Sequence, residues 1–114
     1  MAETTTRIGY LESALTVALI DGKRVLFTAD SVELARNRFD AVCDSITSQV
    51  KRKIRSSSSM CIELDNGGIA MFASHRSADV GRGLSVDLVC IDGKPADIES
   101  LRVCALTGEV LQRV

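Results

Sequence analysis

Two short runs, Arg24–Ala29 (RVLFTA) and Val86–Ile91 (VDLVCI), constrain the fold most, because their interiors are almost wholly apolar. A strand with one wet face alternates apolar and polar residues, so a near-continuous apolar run marks a strand covered on both faces. Such strands belong at the centre of a layered sheet flanked by helices. The two runs are expected as parallel neighbours, with the intervening helix making a right-handed crossover.

The segments around them read as helices and hairpins. From about Thr6 to Ile20, residues Ile8, Leu11, Leu15, Ala18 and Leu19 recur at helical spacing, and Asp21-Gly22 closes the helix. Asp30-Ser31-Val32-Glu33 has the form of a capping box, with Asp30 as the cap residue. Behind it Ala35, Phe39, Val42, Ile46, Val50 and Ile54 form one helical stripe that runs to the serines at 56–59. Met60–Leu64 and Ile69–Ala73 flank Asn66-Gly67, a hairpin signal, since both residues accept the backbone of a tight turn. Ser74–Ser85 reads as a polar loop, and Leu101–Leu106 with Glu109–Val114 as a final hairpin around Thr107-Gly108. The expected class is α/β: central parallel strands flanked by helices, plus β-hairpins, in one domain over residues 1–114.

Composition narrows the function classes. The net charge is −1, so overall charge does not point to nucleic acid or membrane. Aromatic residues make up 4%, too few for stacking on single-stranded bases. No apolar run reaches the roughly 18 residues of a membrane span, and the N-terminus lacks the pattern of a secretory signal. A cytoplasmic location follows as the expectation. Cys43, Cys61, Cys90 and Cys104 form no C-x-x-C pair and there is one histidine, His75, so a zinc site is not expected. The thiols read as buried, reduced and packed as small hydrophobes. His75 reads as a surface-loop residue, and nothing local supports it as a partner for a nucleophile. The basic run Lys51, Arg52, Lys53, Ile54, Arg55 is the candidate nucleic-acid contact. The competing reading is a solvated helix end, where cations suit the helix dipole.

An apolar strand ending in a carboxylate, Val86-Asp87-Leu88-Val89-Cys90-Ile91-Asp92, has the form of a Walker B element, in which the Asp holds Mg²⁺. In this context the chain resembles the ATPase domain of phage terminase large subunits, a RecA-type P-loop NTPase fold. The resemblance runs over about residues 7–92, through Gly22–Ser31, Ala35–Phe39, Ile62–Ile69, the Arg- and Gly-containing loop Ser74–Ser85, and Val86–Asp92. It implies a nucleotide edge formed by Thr4, Thr5, Arg76, Arg82 and Asp92, with Asp92 as the Mg²⁺ ligand if nucleotide binds. It also implies terminase or other phage subunits as partners, and no membrane.

The sequence departs from that family at its chemistry. The family's catalytic Glu follows the Walker B Asp, and here that residue is Gly93. The P-loop G-x-x-x-x-G-K-[ST] is not in the chain, which starts about where that motif would end, and neither its leading strand nor a nuclease domain has a counterpart. The expectation is a DNA-packaging ATPase fragment that is inactive alone and binds Mg-ATP weakly if at all. The alternatives are a non-enzymatic phage or mobile-element module that binds a protein, and a degraded helicase-like domain that binds nucleic acid. On the terminase reading, Asp92 ends its strand on the same edge as the Ser74–Ser85 loop and the Thr4–Thr6 helix start.

Overall fold

The computed structural model describes residues 10–46, 50–56, 59–76, 85–105 and 108–113. Helix α1 is Tyr10–Ile20, strand β1 Arg24–Ala29, helix α2 Val32–Ser45, strand β2 Val50–Arg55 and strand β3 Ser59–Leu64. Strand β4 is Ile69–Ser74, strand β5 Leu88–Asp92, helix α3 Ile98–Val103 and strand β6 Glu109–Arg113. The described strands form one sheet in the order β2-β3-β4-β1-β5-β6. Strand β1 runs parallel to both β4 and β5, β5 runs parallel to β6, and β3 is antiparallel to β2 and β4. The class is mixed α/β with a mostly parallel core, as the two apolar runs require.

Alternation across the pleat assigns each side chain to a face. One face sets Val25, Phe27, Ala70, Phe72, Met60, Ile62 and Leu64 against α1 and α2, from which Leu11, Leu15, Leu19, Ala35, Phe39 and Val42 enter the core. Phe72 lies at its centre, with ring centroids 5.4 Å from Phe27 and 5.4 Å, edge-on, from Phe39. The other face buries Leu26, Val89 and Ile91 under Leu101, Cys104 and Ala105.

Turns fix the N-terminal edge of the central strands. Gly22, at φ +80, lets Lys23 N–H reach Ala18 O (2.9 Å) and Gly22 N–H reach Leu19 O (2.9 Å), a Schellman ending for α1. The β3–β4 turn then caps the same helix, because Asn66 Nδ2 donates to Ile20 O at 2.7 Å. The Asn-Gly signal thus closes the hairpin as expected and also anchors it.

The structure corrects several expectations. The second helix ends at Ser45, and Lys51–Arg55 belong to strand β2, not to a helix end. Val50 and Ile54 continue the helical spacing by coincidence: an irregularity between Val50 and Arg52 sets Val50 opposite Leu64 and Ile54 opposite Cys61, on opposite faces of the sheet. Ser56 N–H donates to Ser59 O at 2.9 Å, so the serine run closes a β2–β3 hairpin. The crossover out of β1 therefore leads through α2 to the β2–β3–β4 meander, not directly to β5. The cap of α2 is Ser31, whose Oγ accepts from Leu34 N–H at 3.1 Å, one residue later than expected. The final hairpin does not form. Asp97 caps α3 by accepting from Ser100 N–H, and β6 docks parallel to β5. Cys43, Cys90 and Cys104 are buried free thiols, whereas Cys61 is half-buried. Among the described residues no helix is long and apolar enough to cross a membrane.

Candidate functional site

Register brings the ends of the parallel strands to one edge: Ala29 pairs with Ser74 and with Asp92, and Asp92 pairs with Arg113. In open α/β sheets this carboxyl-terminal edge is where ligands bind. The same alternation that buries Phe27 and Cys90 under the helices turns Ala29, Asp92 and Arg113 toward α1 and α2. Glu12, in the first turn of α1, and Arg38, in the middle of α2, meet them there.

Among the described residues these four charges form one network. Arg113 donates from Nη2 to Asp92 Oδ2 (2.7 Å) and from Nε to Asp92 Oδ1 (3.2 Å). It also reaches both Glu12 oxygens, from Nη1 at 3.2 Å and Nη2 at 3.1 Å. Arg38 Nε lies 3.1 Å from Glu12 Oε2 and 3.4 Å from Asp92 Oδ2. The Asp92 and Glu12 side chains are only 13% and 14% exposed, so water screens these pairs far less than surface ones. Burial alone would raise the Asp92 carboxyl, but hydrogen bonds and charge from Arg113, and then Arg38, outweigh it and hold it below the ordinary carboxylate range. The Arg113 guanidinium is raised in turn, chiefly by its hydrogen bond to Asp92.

Gly93 follows Asp92 at φ +123, a conformation that side-chain-bearing residues rarely adopt. A Cβ placed there would stand 2.5 Å from Asp30 Oδ1 and 2.6 Å from Oδ2. No glutamate enters at that position without displacing the Asp30 carboxylate. Asp30 is itself held by His75, whose Nε2 lies 2.7 Å from Asp30 Oδ1 while Nδ1 lies 3.3 Å from Thr28 Oγ1. The His75 side chain is 2% exposed, so it is an interior strut between β4 and β1 and not a surface-loop residue. Both ring nitrogens are engaged and Thr28 is fully buried, so neither His75 nor Thr28 faces solvent.

Of the residues singled out from sequence, Asp92 ends β5 as expected and Arg76 is exposed just beyond β4, its backbone N–H donating to Ser74 Oγ at 3.1 Å. Thr4, Thr5 and Arg82 lie outside the described residues. Glu12 brings the first described turn of α1 to the edge that holds Asp92 and Ser74, whereas the Thr4–Thr6 helix start expected there lies outside the described residues. The basic run lies apart, on edge strand β2. There Arg52 Nη2 pairs with Glu63 at 2.8 Å, and Arg55 pairs with Asp40 while its guanidinium sits 5.6 Å from the Phe39 ring centroid.

The residues present do not fit a resident Mg²⁺. That ion needs oxygen donors in a tight octahedron, and both Asp92 oxygens are already taken by guanidinium N–H groups. The neighbouring carboxylate, Glu12, is taken by the same two arginines. Among the described residues no group of three or more His, Cys, Asp or Glu is placed to hold a metal. Glu12, Arg38 and Arg113 carried no signal in the sequence, because each is local to a different element and only the register unites them.

The sequence matches no protein-family model and no curated protein. The fold is similar to that of the large terminase from a thermophilic bacteriophage, with TM-score 0.52, 10% identity, and coverage of 79% of this chain and 25% of that one. A second crystal form of that terminase gives TM-score 0.50 at 7% identity, covering 79% and 24%. The chain thus spans about a quarter of the terminase's length. The likeness is one of fold alone, a distant structural similarity.

Proposed function

We propose that this chain is a terminase-like module that does not hydrolyse ATP by itself and acts as a structural part of a phage DNA-packaging assembly. Turnover would then require a catalytic Glu from elsewhere, because Gly93 follows the strand-ending Asp92. The observation that carries the reading is the Gly93–Asp30 contact, where a Cβ would stand 2.5 Å from a carboxylate oxygen. The position after the strand-ending Asp has no side chain to orient water, and its φ of +123 disfavours one. Steady-state ATP turnover by the purified chain, alone and as Asp92→Ala, tests this. Background rates for both are expected; turnover that Asp92→Ala abolishes contradicts it.

Strand β2 favours a second reading, in which the module contacts nucleic-acid phosphates. Lys51, Arg52, Lys53 and Arg55 are all exposed on an open sheet edge. Arg52 and Arg55 are paired with Glu63 and Asp40, so Lys51 and Lys53 would carry the contact. Duplex DNA binding should weaken steeply with salt, and each of Lys51→Ala and Lys53→Ala should lower the salt slope by roughly one. Binding that is indifferent to both substitutions removes this reading.

A further inference from the structure

At the carboxyl-terminal edge of the sheet, two carboxylates from distant parts of the chain, Glu12 and Asp92, are brought close enough for one guanidinium to bond both. Arg113 Nη2 lies 3.1 Å from Glu12 Oε2 and 2.7 Å from Asp92 Oδ2, and Arg38 Nε bridges the same two oxygens at 3.1 and 3.4 Å. Such a pair of part-buried carboxylates repel one another unless a cation lies between them. Most Mg²⁺-dependent sites meet that need with the metal. Here the need is met by two arginines that belong to the chain.

We infer that Arg38 and Arg113 occupy the cation position of this edge, so that the native chain takes no divalent metal at Asp92, and that removing them uncovers Glu12 and Asp92 as a divalent-cation site. The inference rests on the reading of this edge as non-hydrolysing and gives it a cause on the metal side, separate from the Gly93 contact. Three features support the exchange. Among the described residues the network sets two cations on two anions. Every carboxylate oxygen in it has at least one guanidinium nitrogen within 3.2 Å. A metal entering beside the arginines would add positive charge at short range in a poorly screened setting, where repulsion is strong. Arg113 also lies in the last described strand, so the same bonds that exclude a metal fasten β6 to α1 and β5.

Mn²⁺, a paramagnetic substitute for Mg²⁺, supplies the probe. Free Mn²⁺ is counted by electron paramagnetic resonance as the full chain is added. The native chain is expected to leave the Mn²⁺ signal unchanged at millimolar concentrations. Arg38→Met with Arg113→Met should diminish the signal, and adding Asp92→Asn should restore it. Circular dichroism checks that each variant is folded. If the double variant does not fold, Arg38→Met alone is the second variant, and native chain against Asp92→Asn still tests the exclusion. Mn²⁺ held by the native chain and lost in Asp92→Asn overturns the inference, as does a folded double variant that binds none. ATP turnover without Mn²⁺ at Asp92 would defeat the functional reading alone, and Mn²⁺ at Asp92 without turnover would defeat this inference alone.

Discussion

At its β2 margin the sheet presents Lys51, Arg52, Lys53 and Arg55 to solvent, whereas at its β6 margin Arg113 is drawn in over Glu12 and Asp92. The residue types are the same and their physical roles differ. On β2 the ion pairs are exposed, screened by salt and of little consequence for stability. What holds that half of the sheet is apolar: Phe39 packs edge-on against Phe72, next to Met60 and Ile62, and the Arg55 guanidinium merely covers the Phe39 ring. Charges on an open edge also discourage pairing with another chain. On β6 the strand is short and joined to its neighbour without a hairpin, and its last side chain is tied down by charge. Charge thus decorates one margin and holds the other.

The largest expected effect breaks the apolar side of this comparison. Phe39→Ala removes a large, fully buried ring and should cost about 3–5 kcal/mol, a large part of the roughly 5–15 kcal/mol that stabilises a domain. Chemical denaturation should show a variant close to unfolding. A midpoint unchanged within error would mean that the helix does not pack through Phe39.

A smaller effect is expected on the charged side. Arg113→Met leaves Asp92 and Glu12 with Arg38 alone and should cost about 1–3 kcal/mol, the usual penalty for part-buried acceptors left unpaired. Hydrogen exchange should quicken in β6 more than in β2. Uniform exchange across both margins would dissolve the contrast.

The pH dependence sharpens the same point. The Asp92 carboxyl is held below its ordinary range in the folded chain, so the stability it contributes is fully present above its unfolded pKa, about 3.9. That stability is lost as pH falls through the lower, folded value. Asp92→Asn should therefore lower stability at neutral pH and flatten the acid limb of the stability curve. An acid limb identical to the native one would show that the network contributes nothing.

The smallest effect concerns the thiols. Burial, with Glu12 and Glu109 nearby, pushes the Cys90 thiol up to about 12, and burial also raises Cys43 and Cys104. Cys61 is raised as well but only half-buried, on the face of the β2–β4 half that α3 does not cover. A thiol reagent under native conditions should label Cys61 first and Cys90 last. Fast labelling of Cys90 would contradict the packing between β5 and α1.

The strands β1 and β5, the β3–β4 hairpin and the Ala35, Phe39, Val42, Ile46 stripe were legible because each is written in local residue pattern. The break after Ile46 was not, since Val50 and Ile54 keep the helical spacing although they lie on opposite faces of β2. Only pairing with β3 decides, and pairing is not local. The α3 signal was present in Asp97 capping Ser100 and in the spacing of Leu101 and Cys104. It was outweighed by the turn-like Thr107-Gly108. Asp92 was legible as a strand-ending carboxylate, but its partners were not. Glu12, Arg38 and Arg113 meet it only once the register of β1, β5 and β6 and the seating of both helices are set.

If Arg38 and Arg113 close the edge carrying Asp92, the native chain should hold nucleotide poorly. Calorimetric titration of the native chain with Mg-ATP tests it most directly. No saturable heat is expected at micromolar concentrations, with affinity weaker than about 1 mM, less than about 4 kcal/mol of binding free energy. Micromolar binding that Asp92→Asn abolishes would contradict it.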